Sequence, residues 1–268
     1  MDIFLTLLTP TQLGLAVAIA LLAGFVKGVV GFAMPMIFVS GLSSFLAPEL
    51  ALAMLMLPTL ATNGIQALRQ GPRAAWESIA RFKVYMIVGG VVLILSAQLV
   101  NVLPMQVMLL IIGVPVTGFA LMQIVGWTLT MSGQSTTFEV VIGVVAGFLG
   151  GISGIWGPPT VMYLTALGTQ KHDQMRAQGV IYGLGAVSLV GAHIGSGVLN
   201  AATWPLSAAM IVPSLIGMFC GRQIMDRIDQ VVFRRATLFV LLVATALTMS
   251  SPGSRAVESL TSCRPSKK

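Results

Sequence analysis

Charged side chains are scarce in this chain of 268 residues, of which 9% are charged and 56% are hydrophobic. Soluble proteins carry about 25% charged residues, because their surfaces must face water. No Asp, Glu, Lys or Arg occurs from 84 to 138 or from 177 to 221, and one helical membrane crossing needs about 20 apolar residues. The composition therefore excludes a soluble domain and predicts an all-α, polytopic membrane protein.

Cysteine pairs and metal-binding patterns are lacking as well. The two cysteines, Cys220 and Cys263, have neither the spacing of a disulfide framework nor that of a metal site. The chain contains no nucleotide-binding loop, zinc motif or pair of acidic residues, so we expect no cofactor, no metal and no catalytic residue. Its net charge of +7 comes from basic residues in loops, which does not indicate a nucleic-acid partner.

Ten apolar segments are present, five in each half. They lack the period-two alternation of an outer-membrane barrel and are predicted to be helices. The segments are 11–26, 32–47, 49–68, 84–100, 104–127, 137–150, 155–168, 177–199, 205–221 and 233–250. The domain prediction is a first membrane repeat at 1–127, a connecting loop at 128–137, a second membrane repeat at 138–250 and a C-terminal tail at 251–268.

Basic residues in three stretches, 69–83, 171–176 and 222–235, predict the orientation in the membrane. The positive-inside rule places these stretches in the cytoplasm, which leaves the uncharged loops 101–103 and 200–203 outside. Each half then crosses an odd number of times, whether its first two segments are full spans or a re-entrant hairpin. The second repeat is therefore predicted to be inverted relative to the first, a recurring design of secondary transporters.

A Gly/Pro pattern occurs once in each half: AGFVKGVVGFAMP at 23–35 returns as AGFLGGISGIWGP at 146–158. Matching Gly/Pro interruptions in two halves are the best sequence indicator of a transporter's binding site. The glycines alone also suit close helix packing, and the prolines also suit simple kinks. However, Pro35 and Pro158 fit the first turns of helices that begin inside the membrane. Two such helix starts offer unpaired N–H groups and positive dipole ends, which predicts an anion site.

The candidate substrate-binding residues lie in and near these two interruptions. Lys27 is a charge inside a membrane segment, which makes it a functional candidate, although it could instead reach the cytoplasmic surface and set topology. The polar side chains Asn63, Gln66, Tyr163 and Gln178 either bond across helices or line the substrate path. The candidate set is Lys27, Gly28, Gly31, Phe32, Pro35, Asn63, Gly151, Ser153, Gly154, Trp156, Gly157, Pro158, Tyr163 and Gln178.

An enzyme is the third hypothesis, after a transporter and an anion channel or passive pore. Residues 151–154 match G-x-S-G, and His193 follows on a later segment, as in an intramembrane serine protease with a Ser–His dyad. The first repeat has Val30 where Ser153 stands, between the same glycines. The glycines therefore indicate a structural repeat, and we expect no enzymatic activity.

The motifs of both halves resemble the TauE/SafE family of sulfite exporters, membrane permeases of the TSUP type. The first half shows G-x-x-x-G-x-x-G-F over 24–32, and the second shows Gly-Gly-Ile-Ser-Gly over 150–154, followed by Gly-Pro-Pro over 157–159. Residues 48–53, 68–71 and 217–222 continue the likeness, which covers nearly the whole chain.

The resemblance implies a secondary transporter that moves small sulfur-containing or organic anions, such as sulfite or a sulfonate, across the bacterial inner membrane. It also implies coupling to an ion gradient, with a proton or sodium as the coupling ion. Other members are glycine-rich and then read Gly-Thr-Ser where this chain has Trp-Gly-Pro-Pro over 156–159, so the class of anion is implied rather than sulfite itself. The partners are the anion and the lipid bilayer, and the oligomeric state is open, with a homo-oligomer as one option.

Overall fold

The computed structural model describes residues 8–97, 131, 133–153, 157–195 and 199–249. These residues form helices and their connections, and no strand occurs among them. The helices are α1 (Pro10–Val30), α2 (Met34–Leu42), α3 (Pro48–Leu68), α4 (Pro72–Arg81), α5 (Lys83–Ala97), α6 (Thr136–Ser153), α7 (Gly157–Ala166), α8 (Lys171–Gly195), α9 (Trp204–Ala209), α10 (Ile211–Arg227) and α11 (Gln230–Met249). The predicted segment 104–127, the loop 101–103 and the tail 251–268 lie outside the described residues.

Three helical stretches are long and apolar enough to cross a membrane. They are Pro10–Val30, Leu50–Leu68 and Trp204–Arg227, the last of which combines α9 and α10. The pair α4 and α5 adds a fourth if it counts as one span, although the pair is bent by 73°. The predicted all-α, polytopic membrane fold is confirmed.

Local chemistry explains where α1 begins and ends. The Thr9 hydroxyl accepts from the backbone N–H of Gln12, and the Gln12 side chain accepts from the backbone N–H of Thr9, which forms a capping box. Pro10 suits the first turn, where a missing N–H costs nothing. Gly31 ends the helix with a φ of 87°, a left-handed cap that glycine adopts without steric cost.

The structure differs from the predicted segments where helices extend beyond apolar sequence. The basic stretch 69–83 contains α4, a polar helix that hydropathy cannot identify as a membrane segment. The segment 177–199 begins earlier, at Lys171, and the segment 205–221 is divided between α9 and α10. These polar helical turns are invisible to a search for apolar runs, because their side chains are hydrophilic.

The most extensive helix contacts join the two halves of the chain. Helix α1 packs along α10, α6 packs along α5, and α3 packs along α8. Glycines allow the first two pairs to approach: Gly28 of α1 faces the backbone of Met218, and Gly147 of α6 faces the backbone of Gly89. A Cβ at either glycine would come closer than 3.0 Å to that backbone. The first helix of each half therefore packs on a later helix of the other half through small residues.

The three predicted cytoplasmic stretches meet in space. Arg69 donates to Asp226 at 2.5 Å and joins α3 to α10, while Arg176 of α8 donates to the Ser78 hydroxyl of α4 at 2.8 Å. These contacts agree with the prediction that the three stretches lie on the same side of the membrane. That this side is the cytoplasm stays a prediction. We call this part of the molecule the basic end; it is formed by 69–83, 171–176 and 222–235.

Two helical hairpins enter from opposite directions. In the hairpin of α1 and α2, the turn lies towards the basic end, because Gln66 Nε2, three residues before Arg69, donates to the Gly31 carbonyl at 3.1 Å. The hairpin of α6 and α7 has the opposite orientation. The start of α6 and the end of α7, and not the turn between them, lie towards the basic end, because Gln134 Nε2, just before α6, donates to the Arg81 carbonyl at 2.7 Å. The inverted-repeat hypothesis requires such opposed hairpins, and the relation between the complete halves stays a prediction.

Cysteine labelling tests the predicted side of the basic end. In a background with Cys220 and Cys263 replaced by Ser, Ala80→Cys should resist an impermeant thiol reagent added outside intact cells, whereas Ala201→Cys should react. Both positions are exposed, and the positive-inside rule places only the first in the cytoplasm. Permeabilised cells, in which both should react, provide the control. Equal labelling from outside intact cells would contradict the topology.

Candidate functional site

The first break, residues 31–33 between α1 and α2, has an unusual backbone. Gly31 has a φ of 87°, and Ala33 has a φ of 70°, a left-handed conformation that costs a residue with a Cβ about 1–2 kcal/mol. Ala33 precedes α2 without a side-chain cap, and Pro35 lies in the first turn of that helix. The first N–H groups of a helix have no partner within it. The N-terminus of α2 therefore presents donors and a positive dipole end at the break.

Lys27 lies one turn before this break and does not reach the protein surface. Its side chain is 2% exposed, and its ammonium donates to the amide oxygen of Asn63 on α3. None of the ion pairs among the described residues includes Lys27. A buried charge without a counter-charge costs several kcal/mol, and a bound anion would remove that cost. The buried position disagrees with the alternative that Lys27 extends to the cytoplasmic surface.

Two glutamines lie beside Lys27 and Asn63. Gln66 Nε2 donates to the carbonyls of Gly31 and Met175, at 3.1 and 2.7 Å, and so ties the break to α8. Gln178 of α8 is fully buried against Gly31, where an added Cβ would overlap its Oε1. We call Lys27, Asn63, Gln66 and Gln178 the polar cluster.

The polar cluster has unused hydrogen-bonding capacity. Among the described residues, Gln66 Oε1 and both amide atoms of Gln178 are buried without a partner. A buried polar group left unpaired costs about 1–3 kcal/mol, so such atoms indicate the place of a ligand or a water molecule. The amide of Gln178 can donate to a bound anion.

The second break lies next to the first, across the side chain of Phe32. Helix α7 begins at Gly157, where an added Cβ would lie 3.8 Å from the Phe32 ring and 3.8 Å from the Tyr182 hydroxyl. That hydroxyl donates to the Gly157 carbonyl at 3.3 Å. Phe32, Tyr182 and Val161 belong to one buried apolar cluster. The two breaks are therefore neighbours, with apolar walls on this side and the polar cluster beyond Gly31.

Each half has a helical hairpin at the predicted interruption. Helix α1 ends one residue before Gly31, and α2 begins three residues after it. In the second half α7 begins at Gly157 and returns along α6, since the Tyr163 hydroxyl reaches Glu139 in the first turn of α6; residues 154–156 lie outside the described residues. Pro35 and Pro158 fall in the first turns of α2 and α7.

The structure brings only part of the candidate set together. Lys27, Gly31, Phe32, Asn63, Gly157 and Gln178 meet at the two breaks, with Pro35 and Pro158 just beyond them. Two candidates have other surroundings: Gly28 faces the backbone of α10, and the Tyr163 hydroxyl donates to Glu139 at 2.8 Å.

The remaining candidates have surroundings that the structure does not describe. Gly151 and Ser153 are in the last turn of α6, and the surroundings of their side chains, like those of His193, lie outside the description. Gly154 and Trp156 lie outside the described residues. The roles of these residues stay predictions.

Gln66 and Glu139 are absent from the candidate set, although both are buried. Gln66 follows Asn63 by three residues, a spacing that places both on one face of a helix and would have been a sufficient signal. Glu139 stands near the start of the apolar segment 137–150, a position that suits an exposed helix end as well as a buried one. Its burial depends on contacts that no local pattern indicates.

Comparison with known protein families identifies the family of this chain. The family model described as sulfite exporter TauE/SafE matches residues 16–249, a range that includes both breaks and the polar cluster. This chain belongs to the TauE/SafE family. Members of that family are membrane transporters of sulfite or related anions, which confirms the resemblance seen in the sequence. No curated protein and no solved structure matches the chain.

Proposed function

We propose that this TauE/SafE protein is a secondary transporter of small anions, namely sulfite, a sulfonate or a related sulfur-containing or organic anion, in the bacterial inner membrane. The anion would bind at the two breaks, beside Lys27. The observation that carries this proposal is the buried Lys27 ammonium, which contacts a neutral amide and has no ion-pair partner among the described residues.

Each part of the site would have a distinct role. Lys27 supplies a full positive charge, and the N-terminus of α2 adds about half a charge. Gln178 offers an amide donor, while Gln66 holds the Gly31 carbonyl against α8. Phe32 closes the apolar side of the site. The net positive potential favours anions and disfavours cations.

The enclosure of the site supports a carrier over the alternative of a channel or passive pore. Lys27 is 2% exposed and Gln178 is fully buried, so an anion can reach them only if the surrounding helices move. The opposed hairpins that meet at Phe32 and Gly157 are the natural moving parts, since alternating access commonly moves one repeat against the other around a fixed site.

A thermal-shift screen of the purified protein tests the anion site. Methanesulfonate, sulfite, sulfate and acetate should be compared as salts of the same cation. A ligand at a hundred times its Kd adds about 2.7 kcal/mol to the stability of the folded state, which corresponds to a rise in Tm of about 5–10 °C. We expect this rise for at least one sulfur oxyanion. An equal shift with all four salts, which their shared cation would explain, or no shift with any of them, would contradict the site.

Counterflow in liposomes separates a carrier from a channel. Vesicles preloaded with unlabelled anion should transiently accumulate the labelled anion above its external concentration, because a carrier exchanges one molecule for another. A pore dissipates the gradient and shows no such overshoot. A chloride-preloaded vesicle is the matched control.

A further inference from the structure

Glu139 is a buried carboxyl group that the proposed anion site does not use. It lies in the first turn of α6 and is 3% exposed. Its Oε1 accepts from the Tyr163 hydroxyl of α7 at 2.8 Å and from Gln134 Nε2 at 2.5 Å. Both donors are uncharged, and no ion pair among the described residues includes Glu139. Burying a negative charge costs free energy, and a proton bound to the carboxylate would remove that cost.

Among the residues whose side chains the structure describes, Lys27 and Glu139 are the only buried Lys, Arg, Asp or Glu. An ammonium and a carboxylate sum to zero when no anion is bound. A monovalent anion beside Lys27 would leave the buried groups with one net negative charge, which is costly because both groups are shielded from water. One proton on Glu139 restores a sum of zero. The two buried charges thus balance in the empty protein and in a protein loaded with one anion and one proton.

Helix α7 links Glu139 to the second break. Tyr163 near its C-terminal end bonds to Glu139, and Gly157 at its start lies beside Phe32. The Tyr163 ring stacks on Tyr85 of α5 at a centroid distance of 5.7 Å. A carboxylate accepts hydrogen bonds only, whereas a protonated carboxyl group must also donate one. Protonation therefore changes the contact that holds α7 against α6.

Helix α8 separates this carboxyl site from the polar cluster. Ala177 belongs to the buried cluster around Tyr163, and its neighbour Gln178 lies against Gly31. The two sites are therefore on adjacent faces of one helix. A displacement of α7 against α8 would change the packing at both sites.

We propose that Glu139 binds and releases the proton that moves together with each monovalent anion, and that Tyr163 transmits its protonation state to α7. This inference rests on the proposed function and names its coupling ion. One O–H bond forms on the Glu139 carboxylate when the proton enters from water on one side. The same bond breaks when the proton leaves to the other side, and no other bond changes.

Among the described residues, Tyr163 of α7 is the titratable side chain that bonds to Glu139. Tyr85 of α5 stacks on Tyr163, and Arg81 at the end of α4 acts electrostatically on Tyr163. Helix α8 contributes the apolar Ala177 and Ile181 to the same cluster. Among the described residues of this part of the protein, Glu139 is thus the side chain that carries a carboxyl group.

The test uses the purified full-length protein in liposomes, with labelled methanesulfonate as the probe and sulfite as a second probe. A sulfonate stays ionised near neutral pH, so its own titration does not confuse the result. A gradient of one pH unit, acidic outside, should support about ten-fold accumulation by the wild type. An imposed membrane potential should have no effect, because one proton and one monovalent anion carry no net charge.

Glu139→Gln should lose this accumulation and still exchange internal for external anion at a rate close to that of the wild type, because glutamine imitates the protonated carboxyl group. Glu77→Gln is the matched control: Glu77 is exposed on α4, 3.5 Å from Arg73, and its replacement should leave accumulation intact. Tyr163→Phe removes a donor to the carboxylate, so the pH of half-maximal exchange should rise. A merely structural role would not move that pH.

Different failures have different meanings. If the wild type exchanges anion but is driven by a sodium gradient and not by pH, the proton site is overturned and the anion site stands. The proton site is also overturned if Glu139→Gln accumulates anion normally, or if it loses exchange at a normal membrane level. If the wild type exchanges neither probe, the proposed function itself fails.

Discussion

Lys27→Met is expected to weaken anion binding by about ten- to a hundred-fold, since a hydrogen bond to a charged group contributes about 1.5–3 kcal/mol. The same change should raise the Tm of the protein without ligand, because it removes a buried charge that has only the Asn63 amide beside it. The pair of results, a higher Tm without anion and a smaller shift with anion, is measured in one thermal-shift titration.

Controls separate a binding role of Lys27 from a role in membrane insertion. Lys83→Met removes an exposed lysine at the start of α5 and should change neither Tm nor affinity. Lys27→Arg keeps the charge but places a larger guanidinium in an enclosed space, so we expect intermediate affinity. Normal transport by Lys27→Met together with mixed orientation in the membrane would contradict the site and favour a topological role.

Gly31→Ala is expected to reduce anion binding by at least about ten-fold, although only one methyl group is added. The φ of 87° at Gly31 costs an alanine about 1–2 kcal/mol. Its Cβ would also overlap Oε1 of Gln178 and crowd Sδ of Met175, so that Gln178 must leave the break. Apparent affinity in the thermal-shift assay, compared at equal membrane level, is the measurement.

Two other glycines distinguish a change at the site from a change in packing. Gly64→Ala on α3 adds a Cβ with nothing within 4 Å and should resemble the wild type. Gly28→Ala would push against the Met218 backbone, so it should lower the amount of folded protein in the membrane rather than the affinity of what folds. Unchanged affinity in Gly31→Ala would show that the break does not contact the anion. A pure affinity defect in Gly28→Ala would return Gly28 to the site.

The breaks in the helices could be predicted from sequence because their causes are local. A glycine that adopts a left-handed cap at position 31 and a proline that suits a first turn at 35 act through their own backbones. Their recurrence around 154 and 158 made the pattern visible without any structure. The apolar segments were predictable for a similar reason, since about 20 apolar residues have few stable places outside a membrane.

The different roles of Gly28 and Gly31 could not be told apart from the sequence. Gly28 and Gly31 are three residues apart in the same motif, yet one faces the backbone of α10 and the other faces Gln178 of α8. Helix α1 is apolar on nearly all sides, so no polar face reveals which neighbour each residue will have. The sequence likewise predicts Tyr163 as part of the anion site, because it is a polar side chain near the second interruption. In the structure its hydroxyl bonds to Glu139 instead.

Local composition and backbone chemistry thus account for the membrane class, the helix breaks and the family motifs, because each depends on residues that are close in the chain. The membership of the polar cluster has a different origin. Lys27, Asn63 and Gln178 come from α1, α3 and α8, and they meet only because those helices pack together in three dimensions. The burial of Glu139 depends likewise on α7 and the segment before α6. A buried charge is recognised by what surrounds it, and its surroundings are set by long-range packing.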